Sequence, residues 1–375
     1  MPDLSDSAII ELVATRPATT RADIAKELGW APSTVSLRVN ELLSSGVLHE
    51  ADLAPSRGGR PGRVLRLQDE GGCVVVADIG SHHARTAVVA LTGQTVAVSE
   101  VTVDVTQGPV ATLGLLADAL VALAGSRPVR AVGLALPAPV DPRTGAVVQA
   151  SRMPGWNDFS VRDWVADRIG VPCVVENDAN AMALGEHHAR GARTGDSVTV
   201  KAGTAIGSGL VVDGKIYHGS TVGAGNITHT RVGAASSIPC SCGNLGCLET
   251  VASGAGIARL LRERGIDAES TTDVVRLAQD GDPDAMSLVR AAGGHLGAVL
   301  CTVVNFVNPS AVHLGGALSA VEPFVAAVRS RLYEGSHPIA TSALVIDVTV
   351  NGADAGVVGM GRLAVAAAHR SQARP

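Results

Sequence analysis

The chain has 375 residues, enough for two or three domains that each bury a core. Its formal net charge of −5 gives no overall attraction to nucleic acid or to membrane surfaces, so any such binding must be local. Residues 1–10 carry acids where a signal peptide would carry bases, and no apolar run reaches the length needed to span a bilayer. We therefore expect a soluble, cytoplasmic protein.

The first part of the chain predicts a helix-turn-helix. After one amphipathic helix, Thr20 and Asp23 have the spacing of a capping box, with Asp in place of Glu. Gly29 ends this second helix, and Pro32 stands at the first position of a third. In such a unit the last helix puts its N-terminal side chains into the major groove of DNA.

The third helix divides into a buried face and an exposed face. The positions expected to pack inward are Val35, Leu42 and either Leu37 or Val39. The other side chains are small hydroxyls, a proline and one guanidinium, which suit contacts with phosphates and base edges. The candidate DNA-binding residues of this helix are Pro32, Ser33, Thr34, Ser36 and Arg38.

Residues 47–67 predict a wing, formed by a strand, a loop and a returning strand. The loop sequence Arg-Gly-Gly-Arg-Pro-Gly-Arg contains no acid, and arginine between glycine and proline is slim enough to enter a narrow minor groove. The alternatives are a flexible basic linker and a three-helix domain that binds another kind of partner. The candidate DNA-binding residues of the wing are Arg57, Arg60 and Arg63.

From residue 72 onward, apolar strands alternate with helical stretches, which indicates an α/β body. Two strand-turn-strand units, at residues 73–91 and 199–212, have turns rich in glycine and hydroxyl residues. In two-lobed nucleotide-binding folds such turns hold phosphates through backbone N–H groups. Most glycine turns, however, only join the strands of a hairpin.

A further strand ends at Glu176, Asn177 and Asp178 and leads directly into a helix. The carboxyl end of a strand beside a helix N-terminus is where open α/β sheets bind small molecules. Asp178 therefore has two interpretations, a general base that acts on a hydroxyl or a helix cap. His187 and His188, later in the same helix, are expected to be exposed.

A polar, glycine-rich loop contains half of the six cysteines. Three thiols and one imidazole are the ligand set of a closed, structural zinc site. The alternatives are ordinary buried thiols, or a disulfide that would leave one of the clustered cysteines unpaired. The candidate metal ligands are His229, Cys240, Cys242 and Cys247.

Taken together, these motifs resemble the ROK family of repressors, open reading frames and sugar kinases. The likeness covers nearly the whole chain. ROK members with an extra N-terminal domain resemble transcriptional regulators of sugar metabolism, and those without it are sugar kinases. The motifs are the wing sequence 58–63, Glu-Asn-Asp-Ala-Asn 176–180, the glycine turn 203–209, the Cys-x-Cys-x₄-Cys loop with its trailing Cys-Leu-Glu, and Leu-Gly-Gly 314–316.

The resemblance implies an actin-like, ribonuclease H-like sugar-kinase fold of two lobes, assembled as homodimers or homotetramers. It also implies a base role for Asp178, sugar contacts for Asn177 and Glu249, and a link between metal and ligand through His229. The implied division is a winged domain at 1–68 and a ROK domain at 72–375, with a small lobe of 72–180 plus the C-terminal helix 352–370 and a large lobe of 181–350 that holds the zinc loop 229–249.

The first phosphate turn departs from the kinase pattern. ROK kinases have Asp-x-Gly-Gly-Thr-Lys, whereas this chain has Asp78 followed by Ile-Gly-Ser-His-His, with His82 and His83 expected to be solvated. Phosphoryl transfer depends on positioning and on neutralising charge, so losing the Thr-Lys pair weighs against kinase activity. Asp178 is then expected to be a vestigial base.

The sugar pocket also departs from the family pattern. The family's Glu-x-Gly-His becomes Asn226-Ile-Thr-His229, and its Asn-Leu-Pro-Gly-Trp becomes Arg152-Met-Pro-Gly-Trp. Both changes make the pocket more positive, which suits an anionic effector such as a sugar phosphate or a sugar acid. The alternative is a disused pocket in which Arg152 turns to solvent or to Glu176.

The sequence therefore predicts a repressor that responds to a sugar or an anionic sugar derivative and has no kinase activity. We expect it to bind palindromic operator DNA, to sense its effector between the ROK lobes, to hold a structural zinc ion and not to bind membranes. The alternative is an ATP-dependent, glucokinase-like sugar kinase with an added DNA-binding domain.

Overall fold

The computed structural model describes residues 6–15, 19–44, 46–53, 62–67, 72–190 and 195–372. These ranges form an N-terminal helical unit with a two-stranded hairpin, followed by a body built on two five-stranded sheets. Arg57 and Arg60 of the predicted wing lie outside the described residues, and their DNA contacts stay predictions.

The N-terminal unit has the helix-turn-helix order that the sequence predicts. Thr20 caps the second helix with the expected capping box to Asp23, and Gly29 ends it in the left-handed conformation at φ 66°. The antiparallel hairpin follows the third helix. The elements are α1 (Asp6–Thr15), α2 (Arg21–Leu28), α3 (Pro32–Ser44), β1 (Leu48–Leu53) and β2 (Arg63–Leu67).

The small core of this unit settles which side of α3 faces inward. Val35, Val39 and Leu42 are buried among apolar residues of the other helices and of the hairpin. Leu37 is 60% exposed, so Val39 is the inward-facing member of that pair. The opposite side of α3 is therefore accessible to a partner.

The first sheet of the body has the strand order β5-β4-β3-β6-β9, in which β3, β6 and β9 are parallel. Its strands are β3 (Cys73–Ile79), β4 (His83–Ala90), β5 (Thr95–Thr102), β6 (Val129–Leu136) and β9 (Cys173–Asn177). The intervening elements are α4 (Pro109–Ala124), β7 (Val140–Asp141), β8 (Ala146–Val147) and α5 (Val161–Ile169).

Both faces of this sheet are covered, which explains why β3 is an uninterrupted apolar run. Val75 and Ala77 belong to the core shared with α4 and α5. Val74 and Val76 belong to the core on the opposite face, which contains Val357 of the last helix, α13 (Ala355–Gln372). The C-terminal helix thus packs on the first sheet, as the two-lobed fold requires.

The second sheet has the order β12-β11-β10-β13-β14, with β10, β13 and β14 parallel. Its strands are β10 (Ser197–Ala202), β11 (Ile206–Val212), β12 (Lys215–Ile216), β13 (Ala311–Gly315) and β14 (Val345–Val348). The helices of this part are α7 (Glu249–Ala252), α8 (Gly254–Glu263), α9 (Thr271–Gln279), α10 (Pro283–Val307), α11 (Glu322–Gly335) and α12 (Pro338–Thr341).

The expectation that no apolar run is long enough to span a bilayer is wrong for α10, which passes that test by length and composition; 56% of its apolar window is buried inside the protein. Leu296 and Leu300 of α10 lie in the same core as Val328 and Leu332 of α11. This helix is therefore a core element of the second lobe.

The helix α6 (Asp178–Ala189) joins the two halves of the body, since it follows β9 and packs against β10, β11 and α13. A Cβ at Gly359 of α13 would lie 1.8 Å from the carbonyl oxygen of Ala181, so only glycine permits this close crossing. Because α6 is enclosed, the expectation that His187 and His188 are exposed is wrong. His187 is buried and bonded to Ser197, and burial lowers the pKa of His188 to about 3.

Candidate ligand cleft, metal site and DNA-binding surface

The carboxyl ends of β3, β9 and β10 bring two carboxylates and one ammonium together. Lys201 Nζ lies 2.9 Å from Asp178 Oδ2, and 3.4 Å and 3.5 Å from the two carboxylate oxygens of Asp78. Burial opposes the charged form of Lys201, but the two carboxylates outweigh it and raise the pKa of the ammonium. Burial also raises the pKa of Asp78, against the opposing effect of Lys201.

Of the two roles predicted for Asp178, general base and helix cap, the cap belongs mainly to its neighbour Asn177. Asn177 is the N-cap of α6, because its side-chain oxygen accepts from the backbone N–H groups of Ala179 and Asn180. Asp178 Oδ1 accepts from Ala179 N at 2.8 Å and from Asn177 Nδ2 at 3.1 Å. With Lys201 on Oδ2, each oxygen of Asp178 already accepts a hydrogen bond.

Glu249, at the start of α7, is buried and accepts three hydrogen bonds. Its Oε2 accepts from Ile206 N at 2.9 Å and from Thr228 Oγ1 at 2.8 Å. Its Oε1 accepts from Arg152 Nη1 at 2.8 Å, so the two charges form an ion pair. The guanidinium therefore lies in the candidate sugar pocket, opposite the carboxylate that the resemblance assigns to sugar contacts.

Arg152 is held in place by an anchored loop. Trp156 is fully buried, and its Nε1 donates to the Val105 carbonyl at 2.8 Å. Arg152 pairs with Glu249 and does not turn to Glu176, whose carboxylate contacts His218 Nε2 at 2.7 Å. Asn226, another predicted pocket residue, is exposed and makes no side-chain cap on the turn that follows it.

The four predicted metal ligands converge. One donor atom each from His229, Cys240, Cys242 and Cys247 lies within 4.8 Å of all the others. The Cys242 and Cys247 sulfurs are 3.7 Å apart, and Cys240 Sγ is 3.5 Å from His229 Nδ1. Bond lengths of about 2.3 Å to sulfur and about 2.0 Å to nitrogen give edges of about 3.8 Å and 3.5 Å in a tetrahedral site. The cluster therefore has the size of a metal site.

The protonation of this cluster is consistent with metal binding. Burial, followed by the neighbouring thiols, raises the pKa of Cys247 to about 12, and burial lowers the pKa of His229. A bound metal would require thiolates and a neutral imidazole, and its binding would release protons.

The two glycine turns differ in what surrounds them. In the first turn, His82 and His83 are exposed, as expected, and Gly80 N donates to the His83 carbonyl at 2.8 Å. In the second turn, a Cβ at Gly209 would lie 2.7 Å from the Ala179 carbonyl oxygen. At least this glycine serves the packing of β11 on α6.

The predicted DNA-binding residues of α3 lie on its accessible side. Pro32 and Ser33 are exposed, and Thr34, Ser36 and Arg38 are half-buried. Arg38 Nη1 pairs with Glu41 at 3.2 Å, and Arg63 of the wing pairs with Glu50 at 3.4 Å. Exposed pairs of this kind are weak and exchange readily for phosphate contacts.

Comparison with known proteins decides the family. Residues 74–367 match the ROK family. The chain belongs to the ROK family. Residues 2–48 match a winged helix-turn-helix DNA-binding family, so the resemblance and the fold class that the sequence indicates are both confirmed.

The ROK relatives include both kinases and regulators. The chain is 32% identical over 249 residues to a glucokinase of Halalkalibacterium halodurans, which covers 62% of this chain and 75% of the relative. It is 26% identical over 341 residues, 88% of each chain, to the xylose repressor of Bacillus subtilis. A solved ROK transcriptional regulator, a homologue of the Escherichia coli MLC protein, matches with a TM-score of 0.81 at 24% identity, over 98% of this chain and 96% of that one.

Sequence reasoning missed three residues of these sites. Lys201 could have been noticed as a charge inside an apolar strand that ends at a phosphate-type turn, since a half-buried charge in such a place calls for a partner. Thr228 stands where the family pattern has glycine, and its hydroxyl donates to Glu249 Oε2. Leu37 is apolar and so suggests a core position, but it lies on the accessible side of α3.

Proposed function

We propose that the protein is a sugar-responsive transcriptional regulator that represses its target genes and has no kinase activity. One observation carries this proposal: Lys201 Nζ donates to Asp178 Oδ2 at 2.9 Å, so the carboxylate proposed as the base is engaged in an ion pair. The first turn also lacks the Thr-Lys pair of ROK kinases. The match to a DNA-binding family and the similarity to the xylose repressor support a role at DNA.

The DNA-binding surface in this proposal combines the accessible side of α3 with the wing. Hydroxyl groups at the start of α3 contact phosphates, Arg38 reaches base edges, and exposed Leu37 packs against a thymine methyl group. The wing arginines enter the minor groove beside it. The proposed contacts are Pro32, Ser33, Thr34, Ser36, Leu37, Arg38, Arg57, Arg60 and Arg63.

The effector in this proposal is a sugar or an anionic sugar derivative that binds between the ROK lobes. Glu249, Asn177 and Asn226 offer contacts to hydroxyls, while the Arg152 guanidinium exchanges Glu249 for an anionic group of the ligand. Because Arg152 and Glu249 come from different sides of the cleft, such an exchange alters how the lobes meet. A ligand acts as a switch only through this difference in affinity between the two arrangements.

The Cys₃His cluster in this proposal holds a structural zinc ion. Three soft thiolates and one imidazole favour zinc over hard cations such as magnesium, and four protein ligands leave no open position for catalysis. The ion would fix the loop that carries His229 and the start of α7, where Glu249 lies. Zinc thereby supports the sugar pocket.

The assembly is proposed to be a cytoplasmic homodimer or homotetramer that places two winged domains on a palindromic operator. The proposed division follows the two sheets, with a winged domain at 1–68, a small lobe at 72–180 plus 352–370 and a large lobe at 181–350.

The test is to retain genomic DNA fragments on the purified protein and to sequence them, for the wild type and for Arg38→Ala. Arg276→Ala, which changes an exposed arginine on α9, is the matched control. We expect one palindromic sequence to be enriched by the wild type and the control. We expect Arg38→Ala to bind that sequence about tenfold more weakly, since a good base contact contributes about 1–3 kcal/mol. The kinase alternative would be supported instead by two results together. These are steady ADP release with a common hexose, and no enriched DNA in the presence or absence of sugars.

A further inference from the structure

Lys201 is a charged residue in an otherwise apolar strand, and it lies between two glycines in the second sheet. Lys201 pairs with Gly207 on one neighbouring strand and with Gly315 on the other. Both neighbours lack a side chain at this level of the sheet, and a Cβ at Gly315 would meet Met182 Cε of α6 at 2.1 Å. A Cβ at Gly207 would meet the Cβ of Ala179 at 2.9 Å, so this face of the sheet looks toward the start of α6.

The ammonium group connects three elements that belong to both halves of the body. Asp78 is on β3 of the first sheet, Asp178 is the first residue of α6, and Lys201 is on β10 of the second sheet. Their side chains are only 13%, 14% and 25% exposed. The contact is therefore an internal ion pair, shielded from most competing water and salt.

This arrangement resembles the coordination of a cation by carboxylates. Three carboxylate oxygens from two aspartates lie between 2.9 Å and 3.5 Å from one nitrogen that carries a full positive charge. Magnesium and manganese prefer oxygen ligands of this kind, and phosphoryl-transfer centres use such an ion to neutralise phosphate. In this chain the charge belongs to a side chain.

We propose that Lys201 is a built-in cation that occupies the place of a divalent ion between Asp78 and Asp178. It excludes such an ion from the ROK cleft, and it joins the two sheets at the cleft floor without the help of a metal–nucleotide complex. Effector binding therefore depends on the sugar alone. The inference deepens the proposed function, because it names the residue that makes the cleft independent of nucleotide.

The electrostatics favour this exclusion. Two carboxylates and one ammonium leave a local charge of about −1, which repels a nucleotide phosphate that arrives without a metal. A divalent ion that entered would meet the ammonium at contact distance. The lysine thus opposes entry of the divalent ion, and the neutral, similarly sized side chain of methionine would remove this opposition.

The experiment measures manganese binding to full-length, zinc-loaded protein by the electron paramagnetic resonance signal of free Mn²⁺. Four proteins are compared: wild type, Lys201→Met, Lys201→Arg and the double variant Lys201→Met with Asp78→Asn. We expect Lys201→Met to bind one Mn²⁺ per chain at least about tenfold more tightly than wild type, because a unit charge in contact with the ion is removed. Lys201→Arg, which keeps the charge, is expected to behave as wild type, and the double variant to lose the new site.

The inference is overturned when Lys201→Met binds Mn²⁺ no more tightly than wild type, or when the double variant keeps the added site. Lys201→Gln, which can still donate to one carboxylate, gives the same comparison when Lys201→Met does not fold. Retention of operator DNA by the same wild-type preparation tests the proposed function separately. Failure to retain DNA with a gain of Mn²⁺ binding in the variant would refute the regulator and leave the built-in cation standing.

Discussion

Replacing Arg152 with alanine tests how the candidate pocket selects its ligand. Arg152 Nη1 lies 2.8 Å from Glu249 Oε1, with the arginine side chain 45% exposed and the glutamate 8% exposed. Two unit charges about 3 Å apart attract by about 5 kcal/mol at an effective dielectric constant of 20. Solvent around the half-exposed arginine and its lost side-chain entropy reduce the net coupling to about 1 kcal/mol. Glu249 keeps its bonds from Ile206 and Thr228, so we expect the variant to fold.

The same change is expected to shift ligand preference in opposite directions for two classes of sugar. A neutral hexose should bind about fivefold more tightly, since about 1 kcal/mol no longer opposes its contact with Glu249. A sugar acid or sugar phosphate should bind at least about tenfold more weakly, since a charge-assisted bond contributes about 1.5–3 kcal/mol. Calorimetry on wild type, Arg152→Ala and Arg143→Ala measures both, where Arg143 is an exposed arginine paired with Asp141. Unchanged affinities for both classes in Arg152→Ala would refute the reasoning.

Three further predictions concern the metal, the helix crossing and pH. Removing metal with a chelator is expected to release about one zinc ion per chain, measured with a zinc indicator. Loss of the metal is expected to lower stability by several kcal/mol in thermal melting and to weaken sugar binding in calorimetry. Release of no zinc would contradict the proposal. Gly359→Ala is expected to lower the free energy of unfolding by about 3 kcal/mol or more in denaturant, because the added Cβ would clash with the Ala181 carbonyl. The control Gly294→Ala in α10, where a Cβ would meet open space, should be neutral or stabilising. Equal effects of the two changes would argue against the close crossing. The hydrogen bond to Glu176 outweighs the opposing effect of burial and raises the pKa of His218 above its usual 6.5. The stability that this pair contributes is therefore fully present below pH 6.5 and is lost as the pH rises through the raised pKa. His218→Gln should therefore cost more stability at pH 6 than at pH 8.5, and an equal cost at both would contradict the charged pair.

Local sequence signals were sufficient where a short stretch determines its own structure. Thr20 with Asp23, and Gly29 after them, fix the start and the end of α2 through bonds within one helix. The metal-ligand cluster is similar, because its three thiols lie close together in the chain and must meet in any compact loop. The same holds for the start of α6 directly after the strand that ends at Asn177.

Contacts between distant segments could not be read in this way. Lys201 and Asp78 are 123 residues apart, and Arg152 and Glu249 are 97 apart, so their pairing depends on how the two sheets meet. His187 looks like a surface residue by its polarity, but tertiary packing encloses α6 on every side from Ala179 to His187. Where a buried helix joins two sheets, the usual distinction between an apolar face and a polar face is lost.

The place of α13 in the first sheet has a consequence for how the chain folds during synthesis. The strands of that sheet are complete by residue 177, but one of its faces is covered by a helix that begins only at Ala355. The ribosome must therefore make most of the second lobe before the first can be closed, and the uncovered apolar face of the first sheet stays exposed in the meantime. The winged unit has all of its elements within the first 67 residues and can fold as soon as it emerges. A nascent chain that stops before Ala355 would carry a folded DNA-binding unit attached to an unfinished sensor.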